Sequence, residues 1–352
     1  RIGLIMAYST IIKPNTQINP LLYTGNTSNG HAITGLGFEP GFVWIKSRNQ
    51  ADFSHMLYDV VRTAVSGPFD IRSNSGNAQS TDSSGLVSFD SDGFTLNSGG
   101  YVNTGNFVSW NWKAGGSPSS NTDGSITSSV SVNTAAGFSI VKYTAPSGVS
   151  TIGHGLGVVP NVIMLKVLDE AGGWFFGMPQ LNGWQNRMIL NTTGSSTTET
   201  RAFYANGSAP TNTVWSTDQN SMGSPGDVVA YCFASVKGFS KFGSYVGNGN
   251  ADGTFVYTGF KPAFVLMKNT ADSGAAWQMF DNKRDVDNVA NHRLFPNSNA
   301  VESTDANNNI DIISNGFKMR TSNGDNNANG STFIYMAFAE NPLVANTSGG
   351  IP

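Results

Sequence analysis

The sequence predicts an all-β protein made of three tandem antiparallel β-sandwich units of the jelly-roll or lectin-like kind. Three observations carry that expectation. One proline-punctuated strand recurs three times, a closing strand follows each copy, and the composition suits short strands joined by tight turns.

The recurring strand is "GFVWIK" (41–46) after Pro40, "NVIMLK" (161–166) after Pro160 and "AFVLMK" (263–268) after Pro262. Tyr23, Tyr143 and Tyr245 each stand 17 residues before the proline, so the spacing holds without a gap. Each run is apolar, of strand length, opened by Pro where a missing N–H costs least and closed by Lys. The closing strands are "FVSWNWKAGG" (107–116), "VVAYCFASV" (228–236) and "FIYMAFAEN" (333–341). "DSDGFTL" (90–96) and "ISNGFKM" (313–319) carry Asp-Gly and Asn-Gly, strong hairpin signals. A repeat of about 100 residues with strands at this spacing fits a two-sheet sandwich.

The boundaries follow. Residues 1–19 form an N-terminal arm, 20–116 the first repeat, 137–236 the second, 237–342 the third, and 343–352 a C-terminal tail. Residues 117–136 are rich in Gly, Ser and Thr and are expected to be an extended linker with few contacts to its own unit. The five residues before Met6-Ala7-Tyr8 look like an extension, which leaves the true N-terminus open. Ile2, Leu4, Ile5, Ile11 and Ile12 would leave apolar surface in water unless the arm docks on something.

Composition narrows the function classes. Charged residues are 12% of 352 and the net charge is −3, which gives no electrostatic footprint for nucleic acid or anionic membrane. No apolar run is long enough to span a bilayer as a helix. Cys232 is the single cysteine, so neither an internal disulfide nor a cysteine metal cluster is expected. Gly, Asn, Ser and Thr replace charge, as turns needing φ > 0 require.

No catalytic, metal or cofactor-binding residues are expected. His31, His55, His154 and His292 are scattered without ligand spacing. "DSDG" (90–93) and "GNGNADG" (247–253) hint at Ca²⁺, but turn chemistry accounts for them better. Asp82, Glu199 and Asp305 recur once per copy, each after Thr, as a turn residue would, whereas a glycosidase needs two facing carboxylates. Trp44, Trp110, Trp112 and Trp215 are expected in the core. Trp174 and Trp277 align roughly with Phe53 and could face either way. Trp184, in "QLNGWQN" (180–186), has no counterpart in the other copies. These last three are the candidates for glycan or partner contact.

The start "MAYSTI", the run "YTGN…HAITGLGFEPGFVWIKSR", "FVSWNWKAGG" and "GFSKFGSYVGNGNADGTFVYTGFKPAFVLMK" resemble repeat-bearing virion structural proteins of marine tailed bacteriophages. These are tail-fibre-like proteins with a concanavalin-like lectin sandwich, and the resemblance runs from Met6 to about Pro342. It implies a non-enzymatic structural protein of a phage virion, a tail fibre, spike or capsid-surface decoration, adhesive through its sandwich surfaces. It offers no catalytic residue to carry over. The alternative is a soluble carbohydrate-binding lectin or glycan-active enzyme. The implied place is the virion surface, on tail or capsid, with no cofactor. Expected partners are other copies of the chain (a trimer if it is a fibre), other virion proteins through the N-terminal arm, and a host-surface glycan. Nucleic acid and membrane insertion are not expected. One departure stands out. "APSG" (145–148) replaces the "TGN" or "VGN" of the other copies, so the second copy has lost whatever that turn does elsewhere.

Overall fold

A strand whose every residue is apolar has to be covered on both faces, because successive side chains point to opposite sides of a sheet. Phe42–Ser47, Val162–Val167 and Phe260–Asn269 carry such stretches, and in each the apolar stretch "FVWI", "VIML" or "FVLM" is buried throughout. The computed structural model describes residues 9–62, 69–218 and 225–342 and shows what covers both faces.

The described chain is nearly all β, arranged in six antiparallel sheets. They pair into three two-sheet units, one per repeat. In each, a large sheet has the recurring strand hydrogen-bonded to the closing strand, as in Phe42↔Trp112, Val162↔Phe233 and Phe264↔Phe338. A small sheet of two or three strands packs on its outer side: His31–Thr34 with Gly93–Leu96 and Leu86–Asp90, Val149–Gly153 with Val214–Asp218, and Phe255–Tyr257 with Gly316–Met319 and Ile310–Ile313. Both predicted Asp-Gly and Asn-Gly hairpins form, Asp90↔Gly93 and Ile313↔Gly316. Between the sheets of each unit lies a separate apolar core holding Val43 and Ile45, Ile163 and Leu165, or Val265 and Met267.

The other faces of the three large sheets meet one another. Phe42, Trp44, Trp110 and Trp112 join Val162, Met164, Tyr231 and Phe233, and Phe264, Leu266, Met336 and Phe338, in one central core. At its middle the equivalent residues Trp112, Phe233 and Phe338 form a triangle, with ring centroids 6.5, 5.8 and 5.8 Å apart. They mark a pseudo-threefold axis. The units therefore close into a ring around a shared core, a third layer beyond two-sheet sandwiches.

Two expectations need correction. Residues 117–136 are no linker. Ser119–Asn121 and Ser128–Asn133 are strands that extend the second copy's large sheet, in register Val130↔Val141. The alternation "VSV" (130–132) turns Val130 and Val132 into the second core while Ser129 and Ser131 face away, a strand pattern hidden in a linker-like composition. The described part of the arm, from residue 9, also docks on its own chain. Ile11 is buried in the central core and Pro14–Thr16 forms a short 3-10 turn, although Ile12 is 60% exposed. Ile2, Leu4 and Ile5 lie outside the described residues, as does the tail 343–352.

Candidate functional site: the joints of the ring and the outer faces

The three joints repeat one backbone contact. Gln79, Ser196 and Glu302 occupy equivalent places. Their N–H groups donate to the carbonyls of Leu168, Thr270 and Arg48 in the next unit, at 2.8, 2.7 and 2.9 Å. Trp174 Nε1 donates to Arg72 O at 2.9 Å and Trp277 Nε1 to Ile189 O at 3.1 Å. The strand registers put His55 at the third place and Phe295 opposite it. There the Phe295 backbone lies near the His55 ring, and His55 Nε2 makes no hydrogen bond. First to third, second to first and third to second, the cycle is complete.

Trp174 and Trp277 are thus joint residues, 0% and 1% exposed, and neither can meet a glycan. Trp184 is closed off as well. Its φ of 77° turns the chain back at Gly183, and the ring packs against Phe203 at 5.9 Å, 3% exposed. The sequence signals around these residues describe backbone turns and carry no information on where the indole points. Trp44, Trp110, Trp112 and Trp215 lie in cores as expected.

Polar groups at the joints are matched across units. Asp59 accepts from Arg62 Nε at 2.6 Å and from the hydroxyl of Tyr231, in the second unit, at 2.7 Å. Asp281 accepts from Arg284 Nε at 2.6 Å and from Trp110 Nε1, in the first unit, at 3.0 Å. At the remaining joint the corresponding residues are Met178, Leu181 and Met336, all in the central core. Where the carboxylate is absent, so are its arginine and its donor.

The lysines that close the recurring strands are buried, and each Nζ donates to the carbonyl of the next residue: Lys46 to Ser47 at 2.8 Å, Lys166 to Val167 at 2.7 Å, Lys268 to Asn269 at 2.8 Å. Lys166 also reaches Gly76 O across a joint at 3.3 Å. Burial pushes each ammonium down to about 8, against the pull of Glu302, Glu170 or Asp272.

The turn missing from the second copy has a clear role in the others. Asn103, fully buried, donates through Nδ2 to Ser28 O at 2.9 Å and Asn97 O at 2.8 Å and accepts from Asn26 N at 2.9 Å. Asn327 does the same for Asn250 O, Thr321 O and Asn248 N. In "GNGNADG" the Asn327 amide sits among the loop oxygens, and Asn248 and Asn250 accept from N–H groups two residues on. That loop is organised by an amide. Gly25 must be glycine, since a Cβ would come within 2.2 Å of the Asn103 carbonyl carbon.

The remaining polar candidates are structural. Asp82, Glu199 and Asp305 each accept from the N–H two residues on, at 3.0, 3.0 and 2.9 Å. His31 bonds Asn103, His154 bonds Thr211 O, and His292 bonds Asp285. Among the described residues, no group of three His, Cys, Asp or Glu side chains is placed to hold a metal ion. Cys232 is buried, and burial pushes its thiol well up. No helix among the described residues is long and apolar enough to cross a membrane.

Residues 13–342 match the family described as "Domain of unknown function (DUF7483)", and the chain belongs to that family. No curated protein and no solved structure matches it.

Proposed function

We propose that this chain is a non-enzymatic structural protein of a phage virion, a tail fibre, spike or capsid-surface decoration that also adheres through its outer faces. One observation supports this above the rest. Asp59, Asp281, Lys46, Lys166 and His55, buried groups able to do chemistry, face the joints that hold the ring together. A scaffold that invests its polar groups in rigidity suits a particle surface, whereas an enzyme needs one cleft where such groups meet substrate. The described part of the arm leaves Ile12 exposed beside the buried Ile11, a point from which the preceding apolar residues could reach another virion protein.

The test is mass spectrometry of purified phage particles with cryo-electron microscopy of the same particles. We expect the chain in the particles at a fixed copy number, with density for a three-lobed body at regular surface positions. Finding it only in the soluble lysate would overturn this reading and favour a free lectin.

A further inference from the structure

The outer sheet of the third copy departs from its sisters along one row. In the first copy Ala32, Thr95 and Ser88 lie side by side across the sheet, and in the second Thr151 opposes Ser216. In the third the row is Phe255, Lys318 and Asp311. Two residues farther along the edge strand, where the sisters have Thr34 and Gly153, stands Tyr257. Phe255 is 44% exposed and Tyr257 48%.

The core does not call for these rings, although the Phe255 ring leans over Gly316. The inward residues of the same strands fill the core in all three copies, as Ile33 with Phe94, Ile152 with Trp215 and Val256 with Phe317. Two sister copies manage with small outward residues at the same places. The third copy exposes two aromatic rings on one face of one strand, about 7 Å apart by strand geometry, at a cost in hydrated apolar surface.

From this contrast we infer that the outer face of the third copy binds a neutral, hydroxyl-rich glycan chain, with Phe255 and Tyr257 as its stacking platform. The inference deepens the adhesive part of the function proposed above and rests on it. A hexose presents a face of C–H groups rimmed by hydroxyls. The C–H face covers a ring, and the hydroxyls exchange hydrogen bonds with flanking polar groups. Those groups are present. Lys318 pairs with Asp252, and Arg320 with Asp311 at 3.4 Å. The charges of Lys318 and Arg320 are already paired, so a charged ligand would have to break one of these pairs to reach them, whereas a neutral one need not. Lys241 donates to the Tyr257 carbonyl at 2.6 Å and lies 5.2 Å from the ring centre, holding that residue in place. Two rings offer far less than the roughly 800 Å² per partner of a stable protein interface.

The experiment uses the purified full chain on a printed array of neutral glucan, mannan and galactan oligosaccharides beside sialylated and sulfated ones. We expect binding to at least one neutral series. Phe255→Ala/Tyr257→Thr, which installs the first copy's residues, should weaken it at least tenfold with thermal midpoint and molecular mass unchanged. No binding, binding to charged glycans alone, or neutral binding that survives the double substitution would overturn the inference. None of these outcomes touches the virion assignment, which is read on particles.

Discussion

Two joints of the ring solve one packing problem in opposite ways. Between the first and second units a buried carboxylate, Asp59, holds Arg62 and the Tyr231 hydroxyl. Between the second and third, the same places are Met178, Leu181 and Met336. The backbone bonds beside them are nearly identical, 2.8 Å for Gln79 to Leu168 and 2.7 Å for Ser196 to Thr270. The geometry of the ring therefore does not depend on charge. What depends on charge is its own completeness. A buried ion pair roughly breaks even against apolar residues of similar volume, yet removing one member leaves an uncompensated charge. Donor, acceptor and arginine have to be present together or absent together, as they are.

Asp59 carries the largest energetic difference between the joints. Asp59→Ala would strand Arg62, 3% exposed, together with the Tyr231 hydroxyl and the N–H groups of Val61 and Arg62. We expect a loss of about 3–5 kcal/mol in urea unfolding. The triple change Asp59→Met/Arg62→Leu/Tyr231→Met copies the apolar joint and should fall within about 1–2 kcal/mol of the native chain. A triple variant as unstable as the single one would show that the two joints are not interchangeable.

The next contrast is between the turns of the first and second copies. Asn103→Ala removes an amide that satisfies the Ser28 and Asn97 carbonyls and the Asn26 N–H in a buried place. A loss of about 2 kcal/mol is expected, the cost of leaving such groups unpaired. Hydrogen exchange should quicken at residues 25–29 and stay unchanged in "APSG" (145–148), which carries no asparagine. Equal quickening in both would mean that the amide acts on global stability alone.

A buried lysine makes the stability of a joint depend on pH. The Lys166 ammonium, pushed down to about 8 from an ordinary 10.5, binds fewer protons in the folded chain than in the unfolded one across that window. Stability due to this group therefore rises between pH 8 and 10.5, and its charged form is a net cost below pH 8. Lys166→Met should match or exceed the native chain in urea midpoint at pH 7.5, and the difference should shrink by pH 10. A variant that loses more stability at pH 7.5 than at pH 10 would refute this.

Much of the fold is legible in the sequence because backbone signals are local. The three apolar runs, the Asp-Gly and Asn-Gly hairpins and the turn carboxylates Asp82, Glu199 and Asp305 do what their residue types suggest, although Pro262 lies inside its strand at a register shift and does not open it. The closed ring was less legible, although a clue was present. Runs such as "FVWI" do not alternate, and a strand apolar on both faces calls for a further layer. The candidate tryptophans failed because local spacing says little about contacts between distant units. Trp174 and Trp277 match His55 in register, two residues from the Phe53 suggested by sequence, and their partners are carbonyls in other copies. Phe255 and Tyr257 are not legible in the sequence, because an aromatic in a short strand looks like core until its neighbours' outward positions are known.

The smallest expected effect concerns the one joint without an indole of the Trp174 kind. In the first copy the ring system has moved one strand over. Trp44 stands where the other copies have Met164 and Leu266, and its Nε1 donates to His55 Nδ1 at 2.9 Å. Burial, with Lys46 and Arg284 adding to it, lowers the His55 imidazole well below its ordinary 6.5, so the folded chain keeps it neutral. Below pH 6.5 the unfolded chain takes up a proton that the folded chain refuses, and stability falls as the pH drops. Trp44→Met/His55→Trp rewrites this joint in the second copy's form at nearly conserved volume, so the cost at pH 7 should stay below about 1.5 kcal/mol. The new indole would donate to the Phe295 carbonyl as Trp174 does to Arg72. Between pH 7 and 5 the variant should lose less stability than the native chain in urea unfolding. The slope that remains is assigned to His154, whose imidazole burial also lowers. If the acid slope is unchanged by the double substitution, His55 is not the group that titrates, and the equivalence of the three joints stops at their geometry.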